Sequence, residues 1–105
     1  MAANRRLTPF AGTRTAFGSV TGSYTTLIGP IPGRGVIIMI SNSYNAEVWI
    51  SLDGGTTDFI CLQPSQGMTI DLSTNDAEFS GTVSIKSQGA APTSGVMSVG
   101  VIRVL

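Results

Sequence analysis

The amino-acid sequence predicts an all-β protein: a single antiparallel β-sandwich or jelly-roll-like domain preceded by an extended N-terminal arm. Three observations carry this. No window of a dozen residues keeps the 3.6-residue period of an amphipathic helix. Runs in which apolar and polar residues alternate recur about every ten residues, enough for about seven or eight short strands. Clusters of Gly, Pro, Ser, Thr, Asn and Asp separate those runs, as turn chemistry requires.

Taken in order, residues 1–18 read as the arm and 19–105 as the sandwich. The arm is polar and basic, is broken by Pro9 and Gly12, and has Leu7, Phe10 and Phe17 as apolar anchors. Such a segment would fray if left alone, so it is expected to dock on a neighbouring molecule. Ser19 to Ile28 is rich in β-formers and interrupted by Gly22. Gly29-Pro-Ile-Pro-Gly-Arg-Gly35 reads as a loop, because two prolines and three glycines weaken a ladder. Val36-Ile-Ile-Met-Ile40 is apolar on both faces and predicts a central strand covered on both sides.

Ser41 to Asn45 is the next turn. A hairpin then occupies 46–62: Val48, Ile50 and Leu52 alternate with Glu47, Trp49 and Ser51, and Asp53-Gly-Gly-Thr56 supplies the turn. Met68, Ile70 and Leu72 are expected to point inward, with Thr69 and Asp71 outward. Thr82 to Lys86 is a further alternating strand, and Ser87 to Gly95 the longest late loop. Val96 to Leu105 closes the chain as a strand, with Gly100 as a bulge or a close backbone approach.

Composition narrows the function. The 105 residues suit one domain. Charged residues make up only 11% of them, against roughly 25% in an average soluble protein. Such a surface suits a protein partly covered by neighbours. Charge is also unevenly placed: Arg5, Arg6, Arg14 and Arg34 give residues 1–35 a balance of +4, and Lys86 and Arg103 against six carboxylates give the remainder −4. A basic arm ahead of a mildly acidic module points to an acidic partner. Direct contact with nucleic acid is not expected, because scattered arginines with little aromatic interleaving make a thin basic surface.

The residues also weigh against catalysis. The absence of histidine removes the commonest general base and metal ligand. Asp53, Asp58 and Asp71 are the carboxylates that a glycosidase reading would need, yet their setting fits turn and surface roles. Asp53-Gly-Gly-Thr-Thr-Asp58 lacks the ligand count of a Ca²⁺ loop. Cys61 is the single cysteine, which rules out a disulfide within the chain and a multi-thiolate zinc site. No enzyme activity, cofactor or metal is therefore expected.

The first residues lack the apolar core of a secretory signal, and the longest apolar run is far short of a membrane span. Synthesis in the cytosol and no membrane partner are expected. Trp49 alternates away from the apolar face, so it packs under the arm, meets a second subunit or stacks on a ligand.

At Val48-Trp-Ile-Ser-Leu-Asp-Gly-Gly-Thr56, Pro64 and Met68-Thr-Ile-Asp-Leu72, the chain resembles the small β-sandwich structural proteins of tailed-phage virions. The resemblance runs from about Ile38 to Lys86; residues 1–30 match no pattern. It implies a non-enzymatic virion component, foremost a head decoration (cement) protein present in many copies. Such a protein would bind the major capsid protein or other virion subunits on the outer shell and stabilise it. Arg5, Arg6, Leu7, Phe10, Arg14, Phe17 and Trp49 are the residues expected to meet the partner. A head–tail connector, neck or tail protein is the alternative within the same class. A carbohydrate-binding module, with Trp49 as its platform, is the alternative of another class.

Overall fold

The computed structural model describes residues 7–72 and 79–104. Among these residues there are seven strands: β1 (Leu7–Ala16), β2 (Thr25–Asn42), β3 (Val48–Ser51), β4 (Ile60–Leu62), β5 (Gly67–Asp71), β6 (Phe79–Ser87) and β7 (Val96–Val104). Among the described residues the only helical turn is a short 3-10 segment at Phe17–Ser19. Every pairing is antiparallel.

The 18-residue β2 organises the rest. Its first half pairs with β6, and β6 continues to β3 and β4. Its second half lies between β7 and β5, and β1 adds outside β7. β2 thus belongs to both layers of the sandwich, β1-β7-β2-β5 and β2-β6-β3-β4. One core fills the space between them. Ile38, Ile40, Val99 and Val101 from the first layer join Val48, Ile50, Leu62, Val83 and Ile85 from the second. Burial on this scale, about 25 cal/mol per Å² of apolar surface, is the main force closing the two layers.

Several expectations hold. The hairpin at 46–62 is β3 and β4, with Val48 opposite Leu62 and Ile50 opposite Ile60. Met68 and Ile70 lie opposite the buried Ile40 and Ile38, while Thr69 and Asp71 are exposed. The last segment is a strand.

Others are corrected. Residues 7–16, read as part of an arm docking elsewhere, form β1 along the chain's own β7, from Leu7 opposite Val104 to Ala16 opposite Val96. Polar alternation at Thr13 and Thr15 against Val99 and Met97 is ordinary for an edge strand. Residues 29–35, read as a loop, lie within β2. The register against β6 shifts between Thr26 and Ile28, Ile28 and Ile31, and Ile31 and Gly35. Bulges thus absorb the residues that a flat ladder could not, and they bend β2 from one layer to the other. Val36–Ile40 is covered on one face only: Val36, Ile38 and Ile40 are buried, but Met39 is 43% exposed. Gly100 is no bulge; it sits in regular register between Gly12 and Met39.

Asn42, the last residue of β2, is fully buried. Its amide nitrogen lies 3.1–3.2 Å from the carbonyls of Ala46, Leu62 and Gln63, and its Oδ1 accepts the Tyr44 N–H at 2.9 Å. The Tyr44 hydroxyl donates to the Thr15 carbonyl of β1 at 2.7 Å. Asn45 donates to Thr93 Oγ1 and accepts from the N–H groups of Thr93 and Ser94. Gly95 completes this end at φ +98°, where a Cβ would sit 2.0 Å from the Ser43 carbonyl oxygen.

Two stability outcomes follow. Asn42→Ala leaves three carbonyls and one N–H without their partner and should cost about 2–4 kcal/mol in urea unfolding. The size of that loss corresponds to about 4–8 °C in Tm per kcal/mol. Gly95→Ala meets backbone rather than a movable side chain and should yield a chain without a cooperative thermal transition. A variant melting within a few degrees of the parent would refute this account of the 43–46 and 92–95 junction.

Candidate functional site

The outer faces of the two layers differ, and that difference locates the site. On β2-β6-β3-β4 the segment 52–59 does not project as a hairpin tip but folds back over its own sheet. The Gly54 N–H donates to the Thr82 carbonyl at 3.1 Å, and the Phe59 N–H to the Ile50 carbonyl at 2.8 Å. Asp53 organises the turn: it accepts from the Ser51 hydroxyl at 2.7 Å and the Thr57 N–H at 2.9 Å, while Ser51 Oγ accepts the Gly55 N–H at 2.9 Å. Gly55, at φ +104°, lies against Tyr24, where a Cβ would stand 3.0 Å from the tyrosine Cβ and 3.1 Å from its ring. Ser51 and Ser84 are consequently buried on what would otherwise be a solvent face.

A latch holds this lid. The Tyr24 hydroxyl donates to Asp58 Oδ1, and Lys86 Nζ lies 3.3 Å from the same oxygen. The ammonium also stands 4.8 Å above the Tyr24 ring. Hydrogen bonds from Ser51 and then Thr57 draw the Asp53 carboxyl down to about 2. The Tyr24 hydroxyl, and after it Lys86, lower that of Asp58. Burial, reinforced by Asp58, raises the Tyr24 phenol. These carboxylates work as structural acceptors.

No described residue covers the outer face of β1-β7-β2-β5 in this way. Gly12, Gly100, Met39 and Thr69 stand side by side in register across its four strands. The next row is Arg14, Ser98, Ser41 and Gly67, and on the other side Ile102 and Ile37 lie beside Asp71. Adjacent glycines lower the surface over β1 and β7, and the Met39 side chain lies across it, its methyl 3.7 Å from where a Cβ at Gly100 would stand. The depression so formed measures about 740 Å³ and is bordered by Arg14 on the β1 side. Met39, Met68, Ile40 and Val99 line it beside glycines, serines and threonines, a mainly apolar surface suited to contact with another surface.

The residues expected to meet a partner are divided by the fold. Leu7 (46% exposed) and Arg14 lie on β1 beside this face. Phe10 packs against the core, with the Arg103 guanidinium 5.6 Å over its ring. Phe17 is exposed in the 3-10 turn. Trp49 is half-buried in the other layer, between Lys86 and Cys61 in register. Arg5 and Arg6 lie outside the described residues. Sequence reading missed Met39, Gly12 and Gly100, because only strand pairing makes them neighbours.

Cys61 Sγ lies 3.8 Å from Glu47 Oε2, and burial, then that carboxylate, push its thiol up; a thiol so placed is a poor nucleophile. Among the described residues no three His, Cys, Asp or Glu side chains gather closely enough to hold a metal ion. No helix among them is long and apolar enough to cross a membrane. No family model, curated protein or solved structure matches the chain.

The lid has a pH signature. Both carboxyl groups titrate lower in the folded chain than in the unfolded one, so their contribution is complete above about pH 4. It is lost as pH falls towards about 2, the value Asp53 takes when folded. Asp53→Asn should reduce the slope of stability against pH between about 4 and 2 in urea titrations. An unchanged slope would mean that Asp53 does not hold the turn.

Proposed function

We propose that the chain is a non-enzymatic structural subunit of a tailed-phage virion, a decoration protein bound in many copies to the outside of the capsid. The observation that carries this reading is the face of β1-β7-β2-β5, which no described residue covers and where the central strand β2 exposes Met39 over the glycines of its neighbours. A contiguous, mainly apolar depression on a sheet face, unlike a single exposed side chain, marks a contact surface. The low charge content supports the same reading, since a surface poor in ions is one that neighbours cover. Stabilisation would arise from many modest contacts acting together. Arg14 and Leu7, on the edge strand beside the face, extend the contact surface towards an acidic subunit.

The sheet bearing Trp49 is already lidded by residues 52–59, which leaves little room for a sugar platform there. Among the described residues the depression around Met39 has no aromatic stacking residue either.

Quantitative peptide mass spectrometry of gradient-purified particles tests the proposal. Hundreds of copies per particle are expected. Particles lacking the chain should release packaged DNA at lower temperature, and adding the purified chain back should restore the parent value. A copy number near a dozen would assign the chain to the neck or tail instead. Absence from purified particles would sink the virion reading altogether.

A further inference from the structure

We propose that β1 is an exchangeable strand: the edge of β7 accepts β1 of a second copy of this chain, in the same register, and the two copies swap it reciprocally. The proposal concerns the isolated chain and does not rest on the virion reading.

The acceptor edge comes first. β7 lies between β1 and β2 and carries Met97, Val99 and Val101 into the core. On the side away from β2, β1 is its only partner among the described strands. Without β1 it would be a nine-residue apolar edge, a template for any extended chain. β7 therefore requires a strand there. Nothing in the ladder from Leu7–Val104 to Ala16–Val96 requires that strand to come from the same chain. Further contacts to β1 also come from the acceptor side. The Arg103 guanidinium stands 5.6 Å over the Phe10 ring, and the Tyr44 hydroxyl donates to the Thr15 carbonyl at 2.7 Å. A β1 from another copy would meet all of them unchanged.

The strand is also detachable. None of its described side chains belongs to the fully buried core, and Phe10 is only partly buried against it. Thr13 Oγ1 is shielded from water and has no hydrogen-bond partner, so even the middle of the strand is incompletely satisfied. β1 is held much as an added peptide strand is held, by main-chain pairing and one aromatic anchor.

The connection supplies a hinge. Phe17–Ser19 is a single 3-10 turn with no buried residue and no side-chain cap. Its bonds are few: the Val20 N–H donates to the Phe17 carbonyl at 3.1 Å, and the Thr25 hydroxyl to the Ser19 carbonyl at 3.3 Å. A Cβ on Gly18 would meet nothing within 4 Å. Just beyond, Val20 is buried in the core and anchors the chain. Passing from a rise of about 2.0 Å per residue to about 3.3 Å straightens the turn and carries β1 away from its own β7. Closed and exchanged forms keep the same strand contacts, so their balance lies in the hinge and in concentration. A short connection holds β1 at a millimolar effective concentration. The dilute chain therefore stays closed, and exchange takes over where copies are crowded or refold together.

Thiol capture between chains, all carrying Cys61→Ser, tests this. Arg14 and Ser98 face each other across the β1–β7 pair. A chain with Arg14→Cys and a chain with Ser98→Cys are unfolded together in urea, refolded at millimolar concentration and oxidised in air. A disulfide-linked heterodimer is expected, several-fold more abundant than from Arg14→Cys mixed with Thr69→Cys, whose thiols lie on β1 and the distant β5. Both substitutions in one dilute chain should close a disulfide within that chain; a folded chain that fails to do so overturns the register on which the proposal stands. A heterodimer no more abundant than in the control overturns the exchange. If the thiol variants fail to fold, deletion of Gly18 and Ser19, which shortens the hinge, decides by sedimentation velocity: a dimer at micromolar concentration supports the exchange, and a folded monomer overturns it.

Discussion

The arrangement depends most on how the end of β2 is held. Asn42 is a fully buried amide at the point where the strand shared by both layers runs out. Its side chain satisfies carbonyls of the 43–46 turn, the end of β4 and the start of the next loop, and it accepts an N–H in return. Its backbone is also used: the N–H donates to the Gln66 carbonyl, and its own carbonyl accepts from Ser65. One residue therefore fixes the distance between the layers at that end. A leucine of similar volume would fill the space but strand several polar groups, each costing about 1–3 kcal/mol when buried without a partner. From this junction Tyr44 reaches β1 and Asn45 reaches the 92–95 loop. The edge strand and the late loop thus depend on it without touching it.

A second consequence concerns the two outer faces. Where β2 pairs with β6, the register shifts three times and the strand bends, while β3 and β4 are too short to extend far. The segment between them folds down and is latched by Tyr24, Asp58 and Lys86. At the other end β2 pairs regularly with β5 and, from Ile37 onward, with β7, so that layer is flat and continuous. No segment among the described residues crosses it. The same strand therefore produces a self-covered face and an open one, and the bulges mark where one regime changes to the other.

The parts of the fold legible in the sequence are those written in period-two alternation. Val48-Ile50-Leu52, Met68-Ile70 and the closing strand declare both their conformation and their inward face. Asp53 was equally legible, because an Asx side chain ahead of glycines turns the chain locally. What could not be read depends on pairing. The Pro/Gly content of 29–35 argues against a regular strand, and only a partner able to absorb bulges reverses that. The basic, polar residues 7–16 look like a free arm because an edge strand needs apolar alternation on neither face. The lid over Ser51 and Ser84 rests on contacts between residues some thirty positions apart, which no local pattern encodes. Met39, Gly100 and Gly12 look unrelated at positions 39, 100 and 12; register alone makes them one row.

The Val36–Ile40 run asks for apolar surroundings on both faces, and the described residues supply only one. Fully burying a methionine side chain is worth about 1.5–3 kcal/mol, and Met39 leaves part of that unused at 43% exposure. The remainder is too small to hold two molecules together unaided, given the entropy lost on association. It is the right size for a contact that forms only when other contacts have already brought the faces close. A threonine or lysine at this exposed position would suit water better than Met39 does. Its presence beside two glycines, in a chain with so few charges, is understood most simply if this face is a place that another surface occupies.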